Sequence, residues 1–115
     1  MTSIIDAIKK APSNTFVIFY TMDCGYSMRA LEYMEKNNIS YIKKNIYAIK
    51  FKSKNAQKQY PSDANMNLLL QVFTKNKLQL NYNILHKTRP IIFYNGLFIG
   101  GYDDLINFVN ENRLR

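Results

Sequence analysis

The single cysteine of this 115-residue chain is its most reactive candidate side chain. Cys24 lies between an apolar, β-branched and aromatic run at 15–20 and a stretch of helical periodicity at 24–36. The first turn of a helix has unpaired N–H groups and a partial positive charge, so a thiol there loses its proton more easily. Arg29, one turn further on, adds a positive charge. A lone cysteine is more often buried and inert, but the position of Cys24 beside Gly25, outside any apolar run, favours a reactive thiol.

A second group of residues that could take part in binding lies nearer the C-terminus. Pro90 begins an apolar run, and by itself it is typical of a proline at the start of a strand. The pair Gly100-Gly101 permits close approach of the backbone to another molecule. Asp103 opens the last predicted helix, either as an N-cap or as a carboxylate beside unpaired N–H groups. His86 has no partner in the sequence that would make it a base, and we interpret it as a loop histidine.

The elements that must position these residues alternate between helices and strands. The order strand, helix, strand at 15–46 predicts a βαβ unit with parallel strands, and Asn95-Gly96 predicts a hairpin turn. Residues 77–87 alternate apolar and polar side chains, which predicts an extra strand or an extended loop. The other predicted elements are a helix at 3–10, strands at 15–20 and 40–46, a helix at 24–36, a loop or frayed helix at 47–63, a helix at 64–76, strands at 90–94 and 97–99, and a helix at 103–113.

Composition narrows the possible classes of protein. One cysteine and one histidine exclude both an intramolecular disulfide and a cysteine-rich metal site. No apolar run approaches the roughly 20 residues of a membrane span, and residues 1–10 do not form a signal peptide, so we expect a cytoplasmic protein without a membrane anchor. The net charge of +8 permits binding to nucleic acid. However, an AT-rich genome, such as that of a large DNA virus or a parasite, explains much of the lysine excess; a viral source would add the virion as a location.

Three motifs, in order along the chain, resemble those of the glutaredoxin family. Cys24-Gly25-Tyr26-Ser27, followed by Arg29, Ala30 and Leu31, resembles the family's Cys-Pro-Tyr-Cys motif and the helix after it. Thr88-Arg89-Pro90 resembles Thr-Val-Pro. The segment 100–105, Gly-Gly-Tyr-Asp-Asp-Leu, resembles Gly-Gly-x-Asp-Asp-Leu. The three motifs together are far more specific than any one of them alone.

This resemblance implies an α/β, thioredoxin-like fold with a four-stranded mixed sheet flanked by helices. It implies one glutaredoxin-like domain over 1–115, with an extended variable segment at about 47–87. In the family the Thr-x-Pro proline has a cis peptide bond, which implies that the Arg89 backbone faces Cys24 and pairs with the cysteinyl part of glutathione. Asp103 would hold the γ-glutamyl group. The catalytic residue is then Cys24, and the implied glutathione-binding residues are Tyr26, Thr88, Arg89, Pro90, Gly101, Tyr102 and Asp103.

Four positions depart from the family's pattern. Ser27 replaces the second cysteine, so a two-cysteine disulfide route is absent. Gly25 replaces proline, a change that the family associates with iron–sulfur cluster binding. Thr21 replaces the common lysine three places before the cysteine, which leaves one carboxylate of glutathione without its usual partner. Arg89 replaces valine. Two lysines further along the chain are candidates for the missing cation: Lys75 and Lys77.

The resemblance therefore implies a glutathione-dependent thiol–disulfide oxidoreductase. It would reduce mixed disulfides between proteins and glutathione through Cys24 alone, as a monomer, with glutathione as cosubstrate and glutathionylated proteins as partners. The alternative is a [2Fe–2S] carrier or sensor, in which the Cys24 thiolates of a dimer and two glutathione thiols bind the cluster. Against it, 20–24 lacks the extra loop usual in single-cysteine cluster carriers, and Tyr26 replaces their phenylalanine.

A further alternative is a catalytically weak scaffold or a nucleic-acid-binding variant. Lysines at 50–58 are interleaved with aromatic residues, which is a pattern of single-strand binding surfaces. We interpret this segment instead as a solvated loop. The residues concerned are Lys50, Lys52, Lys54 and Lys58, with Tyr47, Phe51 and Tyr60.

Overall fold

The central element is a four-stranded sheet with the strand order β2-β1-β3-β4. The computed structural model describes residues 3–51 and 62–114. The strands are β1 (Phe16–Tyr20), β2 (Tyr41–Asn45), β3 (Ile91–Tyr94) and β4 (Leu97–Gly100). The helices are α1 (Ile4–Lys9), α2 (Gly25–Lys36), α3 (Ser62–Lys75), α4 (Lys77–Leu80) and α5 (Tyr102–Asn112), and a 3₁₀ turn spans Ile46–Ala48.

The strand directions agree with the sequence prediction. Strand β1 is parallel to β2 and antiparallel to β3, and β3 is antiparallel to β4. Asn95 and Gly96 join β3 to β4 with positive φ angles of 51° and 84°, as a tight hairpin turn requires. The fold is therefore the expected α/β, thioredoxin-like one, with a mixed sheet flanked by helices.

Helices cover both faces of β1, and this explains why all five of its side chains are buried. Val17 and Phe19 point to one face, where the core includes Leu69 and Phe73 of α3. The other face packs against α2 and α5, and its buried residues are Phe16, Ile18, Tyr20, Ala30, Leu31, Met34, Ile39, Ile92, Leu105 and Val109. Within 3–51 and 62–114, no helix has the length and apolarity needed to cross a bilayer.

The prediction for residues 77–87 was wrong in its first part, because Lys77–Leu80 forms the short helix α4. The N–H of Leu80 donates to the Asn76 carbonyl oxygen at 3.0 Å, closing one helical turn. Leu78 and Leu80 alternate in burial, at 92% and 0% exposed. A single turn this short leaves the same two-residue pattern as a strand, so periodicity alone does not distinguish them.

The start of α5 differs from the prediction by one residue. Gly101 is the N-cap and the helix begins at Tyr102, so Asp103 is not the cap. The Asp104 carboxylate instead accepts a hydrogen bond from the Gly101 N–H at 2.9 Å. A Cβ at Gly100, whose φ is +136°, would overlap that carboxylate. Glycine at position 100 and Asp104 are thus required together by the geometry of this turn.

Much of the lysine-rich segment lies outside the described residues. Lys50 is exposed, whereas Lys52, Lys54, Lys58 and Tyr60 fall in the part that the structure does not describe. Tyr47 and Phe51 are both half-buried and pack against the core that contains Phe19. Two of the three aromatic residues in the nucleic-acid pattern are thus engaged in the fold.

The two aspartates of α5 are expected to contribute differently to stability. Both carboxylates lie in the first turn, where a negative charge interacts favourably with the helix dipole. Only Asp104 accepts the capping hydrogen bond. We expect Asp104→Ala to lower the free energy of unfolding by about 1 kcal/mol more than Asp103→Ala does. Urea denaturation of the two variants measures the difference, and equal losses would contradict this assignment of the cap.

Tyr82 is expected to make stability depend on alkaline pH. Burial raises the pKa of Tyr82 from 10.0 to about 12. Below pH 10 the phenol is protonated in both states; between about pH 10 and 12 only the unfolded chain ionises, so stability falls as pH rises. In urea denaturation at several pH values, Tyr82→Phe should show a shallower loss over this range than the wild type. Parallel curves would contradict the expectation.

Candidate active site

Cys24 is the N-cap residue of α2, just beyond the end of β1. Its backbone is extended, with φ −108° and ψ 117°, and the side chain is half-buried. Its carbonyl oxygen accepts the first helical hydrogen bond, from the Met28 N–H at 3.1 Å. The thiol thus lies at the start of a helix and is partly accessible, as the sequence predicted.

The Thr88-Arg89-Pro90 segment lies directly opposite Cys24. The Arg89–Pro90 peptide bond is cis, as the family resemblance implied. Cys24 Sγ donates a hydrogen bond to the Arg89 carbonyl oxygen at 3.5 Å. Antiparallel pairing of β1 with β3 brings the two segments together, because Phe19 near the end of β1 is opposite Ile91 at the start of β3.

An open groove of about 600 Å³ runs beside the thiol. Four residues that the sequence analysis singled out line it: Cys24, Tyr26, Thr88 and Arg89. The other lining residues are Met66, Asn67 and Lys87. Pro90, which follows Arg89 in sequence, is buried. The groove therefore combines a thiol with two cationic side chains, those of Lys87 and Arg89.

The remaining predicted site residues belong to the start of α5 and do not line this groove. The Tyr102 ring faces the Tyr26 ring, with centroids 6.2 Å apart. Gly101 and the exposed Asp103 lie on either side of Tyr102 in sequence. The guanidinium of Arg29, expected near Cys24, lies over the Tyr26 ring at 5.5 Å from its centroid. The aromatic pair thus connects the Cys24 end of the site with the first turn of α5.

Ser27 and Thr21 are both fully buried, and neither enters the groove. Ser27 Oγ accepts a hydrogen bond from the Thr21 N–H at 3.4 Å. The side chain that replaces the second cysteine therefore joins the first turn of α2 to the end of β1.

Neither sequence candidate for the missing cation lines this groove. Lys75 is in the last turn of α3 and Lys77 begins α4, and neither lines the groove. Asn67, which does, precedes Lys75 by eight residues, or roughly 12 Å of helix. The cations of the groove are Lys87 and Arg89 instead.

Six residues of the site were not found from the sequence: Met66, Asn67 and Lys87, which line the groove, and Asp23, Tyr47 and His86, which contact its motifs. Tyr47 and Asp23 contact the Arg89 side chain, and His86 contacts the segment around Pro90. His86 Nε2 lies 3.2 Å from the Pro90 carbonyl oxygen, and a Cβ at Gly101 would lie 3.3 Å from the imidazole Cε1. His86 lies in a loop, as the sequence predicted, and from there it contacts both the Pro90 segment and the Gly101 turn. Asp23 could have been predicted as a site residue, because it precedes Cys24 in the sequence. Tyr47 and His86 reach the site only through the tertiary fold, so the local sequence does not indicate them.

Groups of three or more metal-ligating side chains are absent from 3–51 and 62–114. Cys24 is the one thiol that this sequence could offer to an iron–sulfur cluster.

The chain is similar to known proteins in both sequence and structure. It is 37% identical over 110 residues to a probable glutaredoxin of Acanthamoeba polyphaga mimivirus, covering 96% of this chain and 92% of the relative. Its structure is similar to that of a dithiolic glutaredoxin of Trypanosoma brucei brucei, at 25% identity and a TM-score of 0.63, covering 99% of this chain and 93% of the other.

A crystal structure of a buckwheat glutaredoxin–glutathione complex is also similar, at 20% identity and a TM-score of 0.60, with 96% of this chain and 78% of the other covered. No protein-family model matches the sequence. The viral relative spans nearly the whole of both chains, so the present chain belongs to the glutaredoxin family.

Proposed function

We propose that this protein is a glutathione-dependent thiol–disulfide oxidoreductase that reduces mixed disulfides between proteins and glutathione by a one-cysteine route. The observation that carries the proposal is the position of Cys24 Sγ, 3.5 Å from the Arg89 carbonyl oxygen at the edge of an open groove. Membership of the glutaredoxin family supports it. The known complex of the buckwheat protein supports the choice of glutathione as ligand.

Glutathione has groups that match the two ends of this site. Its cysteinyl backbone would pair with the Arg89 main chain, which places its sulfur next to Cys24. Lys87 offers a positive charge in the groove for the glycyl carboxylate, in place of the lysine that Thr21 replaces. At the other end, the Asp103 carboxylate would accept from the γ-glutamyl ammonium, while N–H groups of the first turn of α5 would donate to the γ-glutamyl carboxylate.

In the first step, the Cys24 thiolate attacks the glutathione sulfur of a glutathionylated protein. The protein–glutathione S–S bond breaks as the bond between Cys24 and glutathione forms. The substrate protein leaves as a thiolate and takes a proton from solvent. The binding groups select which of the two sulfurs is attacked, because they hold glutathione and not the substrate protein.

In the second step, a second glutathione resolves the intermediate. Its thiolate attacks the glutathione sulfur of the mixed disulfide, which releases glutathione disulfide and regenerates the Cys24 thiolate. Ser27 has no part in this step, because a hydroxyl does not exchange with disulfides and its side chain is buried.

Substitutions at Cys24 and Ser27 test the route. In a coupled assay with a glutathionylated peptide, Cys24→Ser should abolish turnover, because the nucleophile is lost. Ser27→Ala should retain most turnover and lower the free energy of unfolding by about 1 kcal/mol, from the lost hydrogen bond to the Thr21 N–H.

Loss of turnover in Ser27→Ala, with the fold intact by circular dichroism, would contradict a one-cysteine route. No turnover in the wild type would contradict the proposed function as a whole.

Asp103→Ala is expected to raise the KM for glutathione by about tenfold, since a charge-assisted contact to the γ-glutamyl group is lost. Alkylation of Cys24 by iodoacetamide should proceed at the wild-type rate, because Asp103 is not among the residues beside the thiol. Glu111→Gln, which removes a charge from the last turn of the same helix, is the matched control and should leave the KM unchanged. An unchanged KM in Asp103→Ala would contradict the role given to Asp103.

Cluster binding stays an alternative prediction for the same residue. It requires two copies of Cys24 and two glutathione thiols around one [2Fe–2S] group. Anaerobic reconstitution with iron, sulfide and glutathione distinguishes the two functions. A colourless monomer is expected here, and a coloured dimer would favour the cluster.

A further inference from the structure

Arg89 is surrounded by side chains that the family motifs do not include. Its Nη1 donates a hydrogen bond to the Tyr47 hydroxyl and lies 3.8 Å from Asp23 Oδ1. The same hydroxyl donates to Asp23 Oδ2 at 3.4 Å, and the guanidinium carbon is 5.9 Å from the Tyr47 ring centroid. These three residues, which we call the Arg89 clasp, form a closed set of contacts beside the thiol.

The clasp joins three separate parts of the chain. Asp23 immediately precedes Cys24, Arg89 precedes the cis proline, and Tyr47 belongs to the 3₁₀ turn after β2. That turn is itself fixed: the Asn65 side chain donates to the carbonyl oxygens of Ile46 and Ile49 at 3.1 and 2.9 Å. The turn that carries Tyr47 is thus attached to α3, and the Arg89 side chain contacts Tyr47 there.

We propose that Asp23 and Tyr47 are positioning residues, which set the Arg89 main chain at its distance from Cys24 by holding the Arg89 side chain. The inference rests on the proposed function, because the Arg89 main chain is where glutathione would pair. On this view the Arg89 guanidinium binds Asp23 and Tyr47 of the protein itself and does not bind a carboxylate of the substrate.

Charge and burial support this assignment. The Arg89 side chain is 28% exposed, and its charge is opposed by Asp23, which is 64% exposed. Lys87 is exposed and lines the same groove, with no hydrogen bond or ion pair to a described residue. Of the two groove cations, Lys87 is therefore the one available to a substrate anion, and Arg89 is the one engaged within the protein.

The steady-state kinetics of three variants test the clasp. Asp23→Asn and Tyr47→Phe should each raise the KM for a glutathionylated peptide by about fivefold, with kcat within about twofold of the wild type. The double variant should be little worse than either single one, because each breaks the same set of contacts. Glu111→Gln and Tyr94→Phe, which remove a charge and a hydroxyl away from the site, are matched controls and should be unchanged.

A lower KM in Asp23→Asn would overturn the inference, since it would mean that the freed guanidinium binds the substrate. Unchanged KM values in both single variants, or fully additive effects in the double variant, would also overturn it.

A second measurement needs no glutathione. Tyr47→Phe changes no charge, yet it should speed the alkylation of Cys24 by iodoacetamide about threefold at fixed pH. The reason is that the hydrogen bond from the Cys24 thiol to the Arg89 carbonyl oxygen then becomes weaker. Tyr94→Phe should not. If the wild type shows no glutathione-dependent turnover but alkylation responds in this way, the proposed function fails and the clasp stands. If turnover is present while alkylation and KM are both unchanged, the clasp fails alone.

Discussion

The contact between Cys24 Sγ and the Arg89 carbonyl oxygen is the arrangement on which the rest of the site depends. Two residues 65 positions apart meet there because β1 and β3 are antiparallel neighbours in the middle of the sheet. Helices cover β1 on both faces, so burial of its side chains fixes the end of the strand from which Cys24 follows. The half-exposed thiol is thus positioned by the buried central strand of the sheet.

Around this contact, the chain differs from the family's pattern in a consistent way. Ser27 and Thr21, which replace a cysteine and a lysine, are buried and interact with each other rather than with the groove. Arg89 replaces a valine, and its guanidinium forms an ion pair with Asp23 and a hydrogen bond to the Tyr47 hydroxyl. The positive charge open to the groove comes from Lys87. One thiol therefore remains at the site, and the exposed lysine beside it is Lys87 rather than a residue at position 21.

The sequence predicted those parts that local pattern and motif determine. The apolar run before Cys24 and the Asn95-Gly96 turn each impose their structure locally, and the structure confirms them. What it did not predict depends on long-range contacts or on very short elements. Tyr47 reaches Arg89 from 42 positions away, so nothing near either residue indicates the pair. The single turn of α4 is too short for periodicity to separate it from a strand.

The most direct test of the one-cysteine account is the intact mass of the protein after reaction with excess glutathione disulfide and removal of small thiols. We expect one glutathione per chain, at Cys24, which persists in buffer and is released when reduced glutathione is added. This follows because the chain holds no second thiol to resolve the intermediate. Absence of the adduct, or a Cys24–Cys24 disulfide between two chains in its place, would contradict the account.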